Sequence, residues 1–204
     1  MRSGQLLFRA VRGLLVRPVT TWYHRQDAYQ QLAHLGSCGE GVVVRTPISI
    51  GNPAGTRIGD GVAINPGFTT KGHGDLTIGS YSHFGFHVTI LTADHHYEGA
   101  TEIPYDVERI ARPVTIGVAC WFGDQVVVAP GAELGDGCVV AAGSVVAGRF
   151  EPYSVLAGAP AKVVKTRDAE HFEELRAAGR FKDADLRGLL VDGRPMSRPT
   201  RPAA

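Results

Sequence analysis

Between Thr115 and Gly148 the chain reads TIGVACWFGDQVVVAPGAELGDGCVVAAGSVVAG, which puts Ile116, Phe122, Val128, Leu134, Val140 and Val146 at a fixed step of six. Each is followed by Gly or Ala. An amphipathic helix would return its apolar residues at steps of three and four, and a half-buried strand at steps of two. A period of six fits neither. It fits a coiled β-solenoid, in which each hexapeptide makes one short flat side and a turn, and the aliphatic row points into a narrow prism. The same phase continues upstream in Ile78, Phe84 and Ile90, in Ile58 and Ile64, and in Val44 and Ile50. Short insertions at Asn52 to Gly55 and Lys71 to Asp75 shift the register, as corner loops would. One longer interruption runs from Leu91 to Arg112.

The ends of the chain lack this repeat. Residues 1–17 carry Leu7, Val11, Leu14 and Leu15 on one helical face with Arg2, Arg9, Arg12 and Arg17 around it. The apolar run is far short of the ~20 residues of a bilayer span and has no secretory cleavage pattern. The segment is expected either to cap the solenoid or to touch an anionic membrane surface. Pro18 is expected to break that helix, with a second helix over Thr20 to Leu35 ending at Gly36. The domain reading is therefore helical residues 1–40, a solenoid over 41–166 with a projecting loop at 91–112, a helix over 167–192 anchored by Phe172, Leu175, Leu186 and Leu189, and a disordered proline-rich tail over 193–204.

Composition narrows the function classes. The 204 residues carry 26 glycines, well above the usual ~7%, with no collagen period, so they belong to turns. A net charge of +1, with no basic patch interleaved with aromatics, gives no footprint for nucleic acid. Three cysteines, Cys38, Cys120 and Cys138, have no metal-ligand spacing and point to a reducing, cytoplasmic setting. Cys120 and Cys138 lie one three-sided coil apart, so they should stack on one face as two small side chains rather than as a disulfide.

A repeat surface is regular, so chemistry is expected where the repeat breaks. The break, LTADHHYEGATEIPYDVERIARP, gathers His95, His96, Tyr97, Tyr105, Arg109 and Arg112. With INPG at 64–67, PVTIG at 113–117, CWFGDQ at 120–125, AAGSVV at 141–146 and GAPAKVVK at 158–165, the ordered set resembles the hexapeptide-repeat acyltransferases, in particular the sugar O-acetyltransferase branch that includes galactoside and maltose acetyltransferases. The resemblance covers Val44 to Thr166. It implies a mainly β, left-handed parallel β-helix, a homotrimer with sites between neighbouring solenoids, acetyl-CoA as acyl donor and no metal.

The resemblance also implies roles. The family's base, a loop histidine following a Thr by two or three residues, falls on His95, with His96 as its rival; a neutral imidazole titrates in the range needed to deprotonate an alcohol. Asn65 matches the asparagine that helps hold the acceptor sugar, although an asparagine at a solenoid corner can instead serve the backbone. Asp94 and Glu108 are candidates for orienting the imidazole or binding sugar hydroxyls. Trp121 should lie beside the site, and the backbone N–H of Asp124 should face the thioester oxygen. Ala142 and Ala147 match the pantetheine channel, and Lys162 and Lys165 match cations near the adenosine phosphates. The chain departs from many relatives at Ala147-Gly148, where they carry Thr-Lys, leaving Arg149 to supply charge, and at Ala63, where galactoside acetyltransferases carry Tyr. Galactoside is therefore not carried over as the acceptor. N-acetylation of an amino sugar or sugar nucleotide needs the same base and stays open. So does a non-catalytic scaffold, and so does a γ-class carbonic anhydrase using His83 and His87 with His73 or His95.

Overall fold

The computed structural model describes residues 17–182 and 189–190. Helix α1, Arg17–Ala33, leads into a parallel β-solenoid of about six coils, followed by helix α2, Ala169–Ala177. Three sheets form the sides of the prism. The first face stacks Ser37–Cys38, Thr56–Ile58, Leu76–Ile78, Val114–Ile116, Glu133–Leu134 and Arg149–Phe150. The second stacks Val43–Val44, Ala63–Ile64, His83–Phe84, Trp121–Phe122, Val139–Val140 and Ser154–Gly158, and the third Ile48–Ile50, Phe68–Lys71, Thr89–Leu91, Val127–Val128 and Val145–Val146.

The sixfold row is the core. Val44, Ile64, Phe84, Phe122, Val140 and Leu156 stack inward on the second face, and each is essentially buried. Residues adjacent to them along the strand point outward, because side chains alternate across a strand. Phe84 is buried between two other rings, edge-on to Phe68 at 5.2 Å and stacked on Phe122 at 4.8 Å between ring centres. The corners need left-handed backbone. Glycine supplies it at Gly61, Gly137 and Gly143, but Gln125 adopts φ 60° at a position of the same phase, a conformation that costs a non-glycine residue energy.

Both ends of the stack are covered, as an open sheet edge requires. α1 buries Ala28 and Leu32 against the first coil, and its Gln31 Oε1 accepts a hydrogen bond from the Ile50 N–H at 2.6 Å. Pro18 lies inside this helix; in a first turn its missing N–H has no intrahelical acceptor to lose. At the other end Ala161–Thr166 folds back antiparallel on Ser154–Gly158. α2 starts where Asp168 caps it by accepting from the His171 N–H at 3.0 Å. It stops well before the expected boundary, because Gly179 turns left-handed at φ 62° and Gly179 and Arg180 donate back to the carbonyls of Arg176 and Leu175. Leu189–Leu190 is not helical but a strand antiparallel to Val43–Val44. Residues 1–16 and the tail over 193–204 lie outside the described residues.

The 91–112 interruption is a projecting arm. Ala93–His95 pairs antiparallel with Arg109–Ala111, and residues 96–108 connect them. Cys120 and Cys138 are both buried and reduced, as expected, each directing its Sγ to a backbone carbonyl, Gly135 O and Glu151 O respectively. A hydrogen bond with the neighbouring Cys138 and, after that, burial push the Cys120 thiol far above its ordinary range. No described helix is long and apolar enough to cross a membrane.

Candidate active site

A groove of about 630 Å³ runs along the second face. Arg45, Asn65, Gly85, Gly123 and Ala141 occupy equivalent places in five successive coils along it. At ~4.8 Å between strands this is about 19 Å of wall. His83 and Trp121 lie side by side at its middle, in register on neighbouring strands. Trp121 remains 59% exposed although it stands in the middle of a sheet.

Asn65 is held from both sides. Arg45 Nη1 donates to its Oδ1 at 3.2 Å, and its Nδ2 donates to the Phe84 carbonyl of the next coil at 2.9 Å. The Asp124 side chain has a corner role: Oδ1 accepts from the Phe86 N–H at 2.8 Å, just as Asp60 accepts from Glu40 N and Asp136 from Val118 N at the same distance. Asp124 also lines the groove. Ala142 lines the far end of the groove.

His83 was visible in the sequence only as a tempting metal ligand, and the structure gives it another character. Its Nε2 is buried with no hydrogen-bond partner. Burial lowers its pKa below the ordinary histidine value, the charges of Lys182 and Arg45 add to that, and a hydrogen bond to the backbone of Lys182 opposes it. It is therefore a neutral imidazole at pH 7. Its place beside Trp121 depends on insertion lengths that the sixfold period does not report.

A second cavity of about 890 Å³ adjoins the first between this face and α2, sharing His83, Trp121, Val139 and Lys182 with it. Lys165, Arg180 and Lys182 line it without carboxylate partners among the described residues; Arg167 lines it too, as does Arg176, which is ion-paired with Asp136 at 2.9 Å. Phe181 forms part of its wall, stacked on Tyr81 at 4.0 Å. Arg180 and Lys182 carried no signal in the sequence, lying beyond the repeat. The remaining donor-site candidates fall elsewhere: Arg149 is on the first face, ion-paired with Glu133 at 2.7 Å, while Ala147 and Lys162 line neither cavity.

The arm histidines are also apart from their own chain's groove, since neither His95 nor His96 lines it. The expected orienting carboxylates do not reach His95. Asp94 lies 3.4 Å from Arg112, and Glu108 lies 3.7 Å from His96. His96 Nδ1 instead makes a 2.9 Å hydrogen bond with Asp106, which raises the histidine pKa and lowers that of the carboxyl. The donor atoms of His96, Asp106 and Glu108 lie within 4.8 Å of one another. Asp106 also accepts from the Thr101 and Glu108 N–H groups at 3.3 and 3.0 Å, so the trio works as a clasp that closes the arm. His73, His83, His87 and His95 form no three-ligand cluster among the described residues.

Comparison with known proteins places this architecture. Residues 113–148 match the family Bacterial transferase hexapeptide (six repeats). Over 129 residues the chain is 31% identical to the putative colanic acid biosynthesis acetyltransferase WcaF of Escherichia coli, covering 63% of this chain and 68% of WcaF. The chain belongs to the hexapeptide-repeat acyltransferase family. Its fold is accordingly that family's left-handed parallel β-helix. The similarity runs into the sugar O-acetyltransferase branch: the galactoside O-acetyltransferase of E. coli is 31% identical over 129 residues, covering 62% of each chain. The crystal structure of a maltose O-acetyltransferase from Clostridium difficile superposes with TM-score 0.62 at 28% identity, covering 71% of this chain and 75% of that one. The chain spans 44% to 66% of the length of three of the relatives it matches.

Proposed function

We propose that the protein is an acetyl-CoA-dependent O-acetyltransferase acting on a hydroxyl of a sugar or sugar-containing metabolite. The observation that carries this is the groove, which in a chain of this family joins an Asn65 end to an Ala142 end past the exposed Trp121. Asn65, fixed by Arg45 and Phe84, is the acceptor end. Ala142 and the backbone of Asp124 form the donor end, and Lys165, Arg180 and Lys182 in the adjoining cavity provide cations for the CoA phosphates.

His95 is the general base. It removes the acceptor's hydroxyl proton as the oxygen attacks the thioester carbonyl. The tetrahedral intermediate collapses with cleavage of the carbon–sulfur bond, and the imidazolium returns the proton to the CoA thiolate, giving the acetyl ester and free CoA. His96 is instead tied into the clasp, its Nδ1 held by Asp106, which the Thr101 and Glu108 N–H groups fix in turn. Since His95 does not line its own chain's groove, the working site needs the arm of a second copy, which fits a homotrimer. Ile103 and Val107 on that arm, 97% and 95% exposed, are apolar contacts suited to such docking.

A second reading makes His83 the base within one chain, favoured by its neutral imidazole in the groove, whose Nε2 has no hydrogen-bond partner. Free-thiol release from acetyl-CoA against a panel of sugars and sugar nucleotides separates the two. His95→Ala should lower kcat by roughly 10²–10⁴, and His96→Ala should lower it less. Loss of activity in His83→Ala with retention in His95→Ala would transfer the role to His83.

A further inference from the structure

The base assigned above has no hydrogen-bonded carboxylate to hold its ring, so something else must orient it. An unrestrained imidazole on a projecting arm samples rotamers in which its nitrogen misses the acceptor, and a misplacement of about 1 Å costs on the order of 10²-fold in rate. One side chain is in place to prevent this. Tyr105 lies over His95 with ring centres 3.8 Å apart and planes inclined by 27°. The contact is built by the clasp. Asp106, the next residue in the chain, is fixed by His96 Nδ1 and by the N–H groups of Thr101 and Glu108, and its own N–H donates to the His96 carbonyl at 3.3 Å. The clasp thereby folds the arm back so that Tyr105 faces a residue ten positions earlier.

We propose that Tyr105 is the positioning residue of the base, its ring clamping the His95 imidazole and favouring the cationic imidazolium formed as the acceptor loses its proton. This rests on His95 being the base. The physical ground is twofold. A stacked ring pair restricts rotation of both partners, and the negative face of an aromatic ring attracts a cation. The charged groups around His95 on the arm are Arg109 directly across the strand pair, Asp94 with Arg112 at 3.4 Å, and the clasp residues His96, Asp106 and Glu108. None of them provides the face contact that Tyr105 makes.

The test compares full-length Tyr105→Phe and Tyr105→Leu with wild type and with H95A. Circular dichroism first shows that each variant is folded. Two readouts follow: the titration midpoint of the His95 imidazole by NMR, assigned by its loss in H95A, and kcat with acceptor KM as a function of pH. Tyr105→Phe keeps the ring and should retain the midpoint and kcat within about twofold. Tyr105→Leu keeps bulk but loses the π face. It should lower the midpoint by about 0.4–0.7 pH units, the range expected of an exposed cation–π contact, and reduce kcat more than it changes KM. If H95A is inactive while Tyr105→Leu matches wild type in both readouts, the Tyr105 inference fails and the base assignment stands. If H95A remains active, the base assignment fails and takes the catalytic role of Tyr105 with it, whatever the midpoint does.

Discussion

Phe84→Ala tests the link between the sixfold core and the groove above it. The Phe84 ring is 1% exposed and bridges Phe68 and Phe122 at 5.2 and 4.8 Å, while its carbonyl accepts the side-chain bond that fixes Asn65. Truncation removes the transfer energy of a buried aromatic and leaves a cavity that flat, hydrogen-bonded coils cannot collapse. Such changes cost about 3–5 kcal/mol, and the two ring pairs place this one toward the upper end. Phe84→Leu refills most of the volume and should cost about 1.5 kcal/mol or less. At 2–4 °C per kcal/mol for a chain of this size, the Ala variant should melt about 6–20 °C below wild type, followed by far-UV circular dichroism at one fixed protein concentration. Because each coil touches only its neighbours, hydrogen exchange should rise first in the His83–Phe84 coil and the two beside it. An Ala variant that melts no lower than the Leu variant would refute the claim that this ring ladder is the centre of the core.

The clasp should give the arm a pH dependence. His96 is raised, so its contribution is full below the ordinary value of 6.5 and disappears as pH rises through the folded value; Asp106 is lowered, so its contribution is present above 3.8 and disappears as pH falls below that. Protection of residues 96–108 against hydrogen exchange should therefore be greatest between these limits and lose its pH dependence in Asp106→Asn. Gly85→Ala would set a Cβ against the Asp124 carboxylate and 2.8 Å from the Asp124 nitrogen. Overpacking there should cost about 1–3 kcal/mol, visible as a lowered melting temperature, and should weaken CoA binding by isothermal titration beyond what the lost stability explains. In thiol labelling of the native protein only Cys38 should react promptly, since Cys120 and Cys138 are buried, and all three should react in denaturant. Prompt labelling of all three in the native state would contradict the closed stack.

The repeat was legible because its cause is local. A hexapeptide side of a prism has one inward position, and an aliphatic there followed by a small residue marks each side whatever the rest of the molecule does, so the buried rows from Val44 to Val146 are readable one residue at a time. The extent of α2 was not legible, because helical spacing of Leu186 and Leu189 says nothing of the left-handed Gly179 between them and Phe172, nor of the sheet edge at Val43–Val44 that takes Leu189–Leu190 as a strand. For the proposed site, the sequence singled out Asn65, His95 and Trp121 from motifs that sit in or beside the repeat. What it could not supply was adjacency. His83 meets Trp121, Tyr105 meets His95, and Lys165 joins Arg180 and Lys182 only after the insertions between coils and the fold-back of the arm and of the chain beyond α2 have fixed which strands and loops lie side by side. Those contacts join residues 10 to 38 positions apart in sequence, a separation over which hydrophobic periodicity carries no information and only three-dimensional packing decides.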